Sequence, residues 1–279
     1  MTRNNLEVVL KCDRLDQTIV THQYTSYPLR LSGVFRLDRA DPHRAYLYIT
    51  NTSPGLLAGD ELNVSVTLEA GASLHLTDQS ATKIHAMPIA ETKAKSHLQI
   101  SVAEGASLEF VPEPLILFAD SSLEQTTQIQ LHNDAELFWS EIVLPGRLAR
   151  GECYDFTHYF NRLEITSDSG ERWFRDSIHL DGKDNLFKDS ELFAAKRVLA
   201  NIVIVQPNVD LEVLSQKLET LDMVNGSELI VSSSTLPDER GLLVRILANK
   251  TLEIKKYLKY ALNCVRSCGD RPSLPYIPK

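Results

Sequence analysis

Leu62-Asn63-Val64-Ser65-Val66-Thr67-Leu68, a turn at Glu69-Ala70-Gly71-Ala72, then Ser73-Leu74-His75-Leu76: this stretch decides the fold, because its pattern returns twice. The second copy is Leu98-Gln99-Ile100-Ser101-Val102, Ala103-Glu104-Gly105-Ala106, Ser107-Leu108-Glu109-Phe110. The third and weaker copy is Thr127-Gln128-Ile129-Gln130-Leu131, His132-Asn133-Asp134-Ala135, Glu136-Leu137-Phe138-Trp139. Apolar and polar residues alternate on both sides of each turn, the mark of strands with one buried and one wet face. Gly and Asn at the turns tolerate positive φ and fit a tight hairpin or a corner. The copies lie 34 residues apart (Ala72 to Ala106) and then 29 (Ala106 to Ala135). Repeats at such spacing stack side by side into a continuous sheet. The pattern predicts a mainly β, solenoid-like (β-helical) stacked-sheet scaffold with no obvious catalytic cleft.

Composition sets the outer bounds. A chain of 279 residues can bury a real core, and with no stretch that reads as a linker we expect one domain over residues 1–279. The net charge of −8 argues against nucleic acid as the main partner, since phosphate binding wants clustered Lys and Arg. The four cysteines, Cys12, Cys153, Cys264 and Cys268, are too scattered and few for a disulfide scaffold. No apolar run follows the N-terminal charge, and none approaches the length that spans a membrane. A reduced, cytoplasmic, soluble protein is expected.

Further along, residues 6–12 and 17–24 alternate weakly, and Ala45–Thr50 is aromatic and β-branched like a strand. Glu152–Glu164 and Arg172–Leu180 suggest a hairpin about Asp168-Ser169-Gly170. Past residue 185 the texture changes. Val198–Val205 reads as a buried strand, and Glu228–Ser232 and Gly241–Leu247 as two more. Leucines at 211, 214, 218 and 221 predict an amphipathic helix capped by Asn208 or Asp210. Residues 252–266 predict a second helix, capped by Asn249 or Thr251. About two helices are therefore expected toward the C-terminus. The proline-rich 271–279 segment is not helical, and either hangs free or lies extended on the body.

Motifs of catalysis are absent. There is no phosphate loop, no G-x-G-x-x-G opening a helix, no G-x-S-x-G elbow, no H-E-x-x-H and no paired C-x-x-C. What remains is loops and carboxylates. In the loop Pro54-Gly55-Leu56-Leu57-Ala58-Gly59-Asp60-Glu61, the glycines permit sharp turns and two carboxylates open a strand. Asp60 either caps backbone N–H groups or belongs to a carboxylate site at a channel mouth or interface. The polar run Thr77–Lys83 suits a water-filled passage or the satisfaction of buried backbone. Pro112 and Pro114 hold Glu113 between them on a stiff backbone. His75 and His85 are candidate weak ligands for a soft metal, although lone histidines more often serve structure. Cys264 and Cys268 share a helix face and are expected to pack.

Five segments, taken in order, carry a family resemblance. They are Asn51–Asp60 (NTSPGLLAGD), Leu76–Lys83 (LTDQSATK), Leu108–Pro114 (LEFVPEP), Glu141–Arg147 (EIVLPGR) with Gly151-Glu152 after it, and Gly241–Leu247 (GLLVRIL). In this order they resemble the urease accessory proteins of the UreD/UreH type, from about residue 25 to 265. The chain departs where the family has Gly-Gly pairs, reading Pro54-Gly55 and Ala58-Gly59, and has Asp78 where Thr is frequent. The resemblance implies a β-rich scaffold with two helices and no catalytic activity of its own. It implies binding to urease structural subunits, to a UreF-type protein and, through it, to a UreG-type GTPase. It also implies passage of nickel toward the urease active site through an internal channel, with Ni2+ transient and no cofactor permanently bound. Cations in transit need oxygen or nitrogen ligands that release them, and carboxylates and water suit this. The candidate path or interface residues are Asp60, Glu61, Glu113 and Glu141, with Thr82 and Lys83 beside them. Pro54, Gly55 and Gly59 shape the loop. The rival readings are a β-rich ligand- or polymer-binding module, for which the aromatics are too few, and a hydrolase with a dispersed triad.

Overall fold

Each alternating run folds as a strand, and each turn within a copy passes the chain from one sheet to another. The structure is a computed structural model and describes residues 4–182, 185–224 and 229–279. The chain enters through β1 (Leu6–Cys12), β2 (Thr18–Thr25), β3 (Leu29–Leu31) and β4 (Ala45–Asn51). The first copy forms β5 (Glu61–Leu68) and β6 (Ser73–Asp78), followed by the short β7 (Thr82–Ile84). The second forms β8 (Ala94–Val102) and β9 (Ser107–Phe110), followed by β10 (Leu115–Leu117). The third forms β11 (Ser122–Leu131) and β12 (Glu136–Leu144). A hairpin of β13 (His158–Ser167) and β14 (Arg172–Asp181) leads to two short helices, α1 (Leu186–Asp189) and α2 (Glu191–Ala195). Then come β15 (Val198–Val205), α3 (Leu211–Val224), β16 (Ile230–Thr235), β17 (Leu242–Ala248) and α4 (Thr251–Cys268).

The first strand of every copy lies in a seven-stranded sheet ordered β14-β13-β11-β8-β5-β1-β2. The second lies in a ten-stranded sheet whose main path is β16-β17-β15-β12-β9-β6-β4-β3, with β10 against β12 and β7 against β10. The turns are thus corners, not hairpins. Copies pair in parallel and in register: Val66 with Ile100 and Ile100 with Ile129 in one sheet, Leu74 with Leu108 and Leu108 with Leu137 in the other. Parallel neighbours need a long return path, and here the strand in the opposite sheet supplies part of it.

Two apolar clusters follow from this layering. Leu6, Val66, Ile100, Ile129 and Ile165 pack between the sheets against Leu47, Leu74, Leu108 and Leu137. Beyond the ten-stranded sheet, Phe138, Ile142, Ile202, Ile204, Val244 and Ile246 pack against Leu214 and Leu218 of α3 and Ile254, Tyr257, Leu258 and Leu262 of α4. The middle layer is buried on both faces, which is why Val198–Val205 is apolar at every position but Asn201. β13 has a wet outer face and alternates strictly.

Several local expectations change. β13 begins at His158, not near 152, because the Glu152 carboxylate is bound by the Arg147 guanidinium and by the N–H groups of Ala119 and Arg147, holding a loop. Asp210, not Asn208, caps α3, accepting the Val213 N–H at 3.0 Å. Neither Asn249 nor Thr251 caps α4: its cap is Lys250, with no side-chain bond. The two short helices α1 and α2 add to the two expected. The strand expected from Glu228 starts, in the described residues, at Ile230; Glu228 and the Leu221 side chain lie outside them. The 271–279 segment lies on the body: Arg271 binds Ser107 and Glu136, and Lys279 binds Thr77 and Glu113. Among the described residues, no helix is long and apolar enough to cross a membrane.

Candidate functional site

Alternation calls for an apolar residue at each inward position of the seven-stranded sheet. Three adjacent strands break that rule in one register row: Ser96 of β8, Gln125 of β11 and Asn161 of β13. Across the core β12 does the same, placing Glu141 between the inward Trp139 and Val143. Asn161 Nδ2 donates to Glu141 Oε1 at 3.1 Å and Oε2 at 2.8 Å. Asn201 of β15, paired with Glu141 in the ladder, donates to Oε1 at 2.8 Å. Gln125 Nε2 donates to Asn161 Oδ1 at 3.3 Å, closing the chain of contacts. Burial pushes the Glu141 carboxyl above its ordinary range, against the pull of the Asn201 and Asn161 amides.

Glu141 borders two spaces. One is an interior cavity of about 150 Å³ between the sheets, with Ser96, Gln125 and Thr127 on one wall and Asp78, Thr82 and Glu113 toward one end. The other, of about 10 Å³, is bounded by Glu141, Asn161, Asn201 and Asp176. Arg245 Nη2 donates to both Asp176 oxygens at 3.0 Å, and the Arg245 side chain is half exposed. Polar groups therefore run from the cavity, past Glu141, to the surface.

At the cavity's other end two carboxylates meet. The Glu113 N–H donates to Asp78 Oδ2 at 3.2 Å, while the Glu113 carboxylate takes Lys255 and Lys279. Burial pushes Asp78 up to about 7, despite the Glu113 N–H and Lys279. Burial pushes Glu113 upward too, but the two ammonium groups outweigh it and hold the group below its ordinary range.

The family model of the UreD urease accessory protein matches residues 3–279. The chain belongs to the UreD family. It is 63% identical to the urease accessory protein UreD of Trichodesmium erythraeum over 279 residues, 100% of both chains. It is 31% identical to the UreD of Haloarcula marismortui over 251 residues, 90% of this chain and 82% of that one. With the urease accessory protein UreH of Helicobacter pylori it shares 30% identity over 192 residues, 69% of this chain and 71% of that one.

In this UreD-family chain, Thr82, Glu113 and Glu141 line the cavity, while Asp60, Glu61 and Lys83 do not. Asp60 Oδ2 accepts the Leu57 N–H at 2.7 Å and closes its own loop. Glu61 is exposed and accepts from Asn63 Nδ2 at 3.2 Å. The Lys83 side chain is exposed, and its carbonyl accepts the Leu56 N–H at 2.8 Å. Gly55, at φ +148°, is what lets the loop approach: a Cβ there would run into that same carbonyl oxygen. The Gly59 N–H donates to the Lys93 carbonyl at 3.1 Å, and His85 Nε2 lies 3.2 Å from the Pro54 carbonyl. The His85 ring packs edge-on against Phe118. His75 lies elsewhere, on the helix-facing side of the ten-stranded sheet, its Nδ1 2.8 Å from Glu109 Oε2. Of the Thr77–Lys83 run, Thr77 and Asp78 bind the backbone at Val111 and Glu113, while Asp78, Ser80 and Thr82 line the cavity.

Gln125, Asn161 and Asn201 escaped the sequence reading. Their signal is a polar residue at an inward position: Asn161 falls between Tyr159 and Leu163, and Asn201 inside an apolar run. Among the described residues, two side-chain groups are spaced to hold a metal ion, Cys12–Asp16–His43 and His158–His179–Asp181, and neither uses a residue of this cavity.

Proposed function

We propose that this chain is a non-catalytic, single-domain scaffold for urease maturation in the cytoplasm, and that it hands Ni2+ toward the urease active site through its interior. The observation that carries this reading is the polar row Ser96–Gln125–Asn161 meeting Glu141 between two spaces of the core. Its ligands are amide oxygens, hydroxyls and carboxylates, which hold a borderline cation loosely enough to release it. The ion is cargo, and no cofactor stays bound. The parallel stacking of the copies supports reading the first half as a solenoid-like wall around that path.

Binding to urease structural subunits, to a UreF-type protein and, through it, to a UreG-type GTPase belongs to the same proposal; the relatives' names, urease accessory proteins, support its urease part. Asp60, Glu61 and Lys83, outside the cavity, then fit an interface better than the path. Co-expression with urease subunits and UreF- and UreG-type proteins tests it. Wild type and Asn161→Leu should both retain the partners in a pull-down, while urease activity drops severalfold with Asn161→Leu. Failure of wild type to retain any partner, or full activity with the polar row broken, would overturn it.

A further inference from the structure

The Thr82 and Glu113 end of the cavity lies beyond the C-terminal ends of β6 and β9. At the opposite end of the sheets, three segments bring thiol, carboxylate and imidazole together. Cys12 closes β1, Asp16 sits in the turn before β2, and His43 precedes β4. Cys12 Sγ lies 3.3 Å from Asp16 Oδ1, and His43 Nδ1 lies 3.5 Å from the same oxygen. Tetrahedral zinc has bonds of about 2.3 Å to thiolate and roughly 2.0–2.1 Å to imidazole and carboxylate, so neighbouring S and O ligands stand about 3.5 Å apart and N and O about 3.3 Å. The three atoms already stand at ligand spacing.

The surroundings support the same reading. His43 Nε2 is 3.0 Å from the Gly71 carbonyl, and in the tautomer with the ring N–H on Nε2 the Nδ1 lone pair turns inward. Metal-bound imidazoles are oriented by such an outer hydrogen bond. Nδ1 then faces two oxygens of Asp16, the carboxylate and the backbone carbonyl at 2.7 Å. Asp13 adds negative charge, and its Oδ1 accepts the Leu15 and Gln17 N–H groups, fixing the turn. The Cys12 thiol points at the Asp16 carboxylate and donates to its Oδ1.

We propose that Cys12, Asp16 and His43 form a binding site for one divalent cation of the Zn2+ or Ni2+ class, a set of sulfur, nitrogen and oxygen ligands that disfavours Mg2+ and Ca2+. Binding releases the Cys12 proton and leaves a coordination position for water. The site does not depend on cation passage through the cavity.

Co2+ titration of the full-length chain tests it, because a thiolate ligand gives a near-ultraviolet charge-transfer band. One Co2+ per chain is expected to produce that band, and Zn2+ to remove it. Cys12→Ser should abolish the band, and Cys264→Ser should leave it intact. Asp16→Asn should weaken binding at least tenfold without unfolding the turn, since Asn tolerates the φ of +58° found there. His43→Gln should weaken it similarly. No saturable band in wild type, a band that survives Cys12→Ser, or wild-type affinity in Asp16→Asn would each overturn the assignment.

Discussion

The Asn161 side-chain nitrogen donates to both carboxylate oxygens of Glu141, joining the two sheets through the core. Burial favours the neutral form of Glu141, so Glu141→Gln should hold or slightly raise stability. Glu141→Ala leaves the amides of Asn161 and Asn201 without their acceptor, at a cost of ~1–3 kcal/mol. Urea unfolding should order the three proteins Gln at or above wild type, and wild type above Ala. Urease activation in co-expression should instead fall severalfold in both variants. Equal activation by wild type and Glu141→Gln would remove the carboxylate from the path.

Asp78 makes stability depend on pH. Its folded value is about 7, above the ordinary carboxylate value, so between those limits the folded chain binds a proton that the unfolded chain has lost. Stability contributed by this group is fully present at acid pH and declines as pH rises toward 7, with a slope of at most about 1.4 kcal/mol per pH unit. Asp78→Asn should flatten that decline, so the variant gains on wild type from about pH 4.5 to 7. Unfolding curves at a series of pH values check this, and parallel curves for the two proteins would refute it.

A different carboxylate anchors α4. Arg266, 1% exposed, donates from Nε and Nη2 to the two oxygens of Glu109 at 2.8 and 2.7 Å. Burial would raise the Glu109 carboxyl, but Arg44, His75 and Arg266 outweigh it and hold it well below its ordinary range. Removing one partner strands buried charge, so Arg266→Ala should cost ~3–5 kcal/mol. Arg266→Lys should recover only part, because an ammonium cannot make the paired contact. Soluble yield and denaturation midpoint read the effect, and a wild-type midpoint for Arg266→Ala would show that the cluster does not hold the helix.

What the sequence made legible was what alternation and composition encode locally. The three copies, the β13–β14 hairpin and the buried run Val198–Val205 all follow from which faces are wet. The short α1 and α2 offer too few turns for helical periodicity to register. Which strands pair is a non-local matter, and the site depends on it. Asn201 lies 60 residues from Glu141, and Lys279 lies 166 from Glu113. Gln125 and Asn161 looked like ordinary strand polars because nothing local showed that their register row faces Glu141. Asp60 shows the opposite case: a conspicuous loop carboxylate whose structural contact is the N–H of Leu57 in its own turn.

Gly55 and Gly59 share the loop that carries Asp60, yet they should respond differently to substitution. Both have positive φ, +148° and +82°. At Gly59 an added Cβ meets nothing within 4 Å, so Gly59→Ala carries only the backbone strain, about 1–3 kcal/mol. At Gly55 the Cβ meets the Lys83 carbonyl oxygen and the His85 ring, so the loop must also move off β7. That movement breaks the Leu56 N–H to Lys83 bond at 2.8 Å and the His85 N–H to Leu56 bond at 2.9 Å. Gly55→Ala should therefore be the more destabilising, and amide exchange at Leu56 and His85 should quicken selectively in it. If both variants lose equal stability and those amides stay protected, the close approach to β7 contributes nothing beyond the φ requirement.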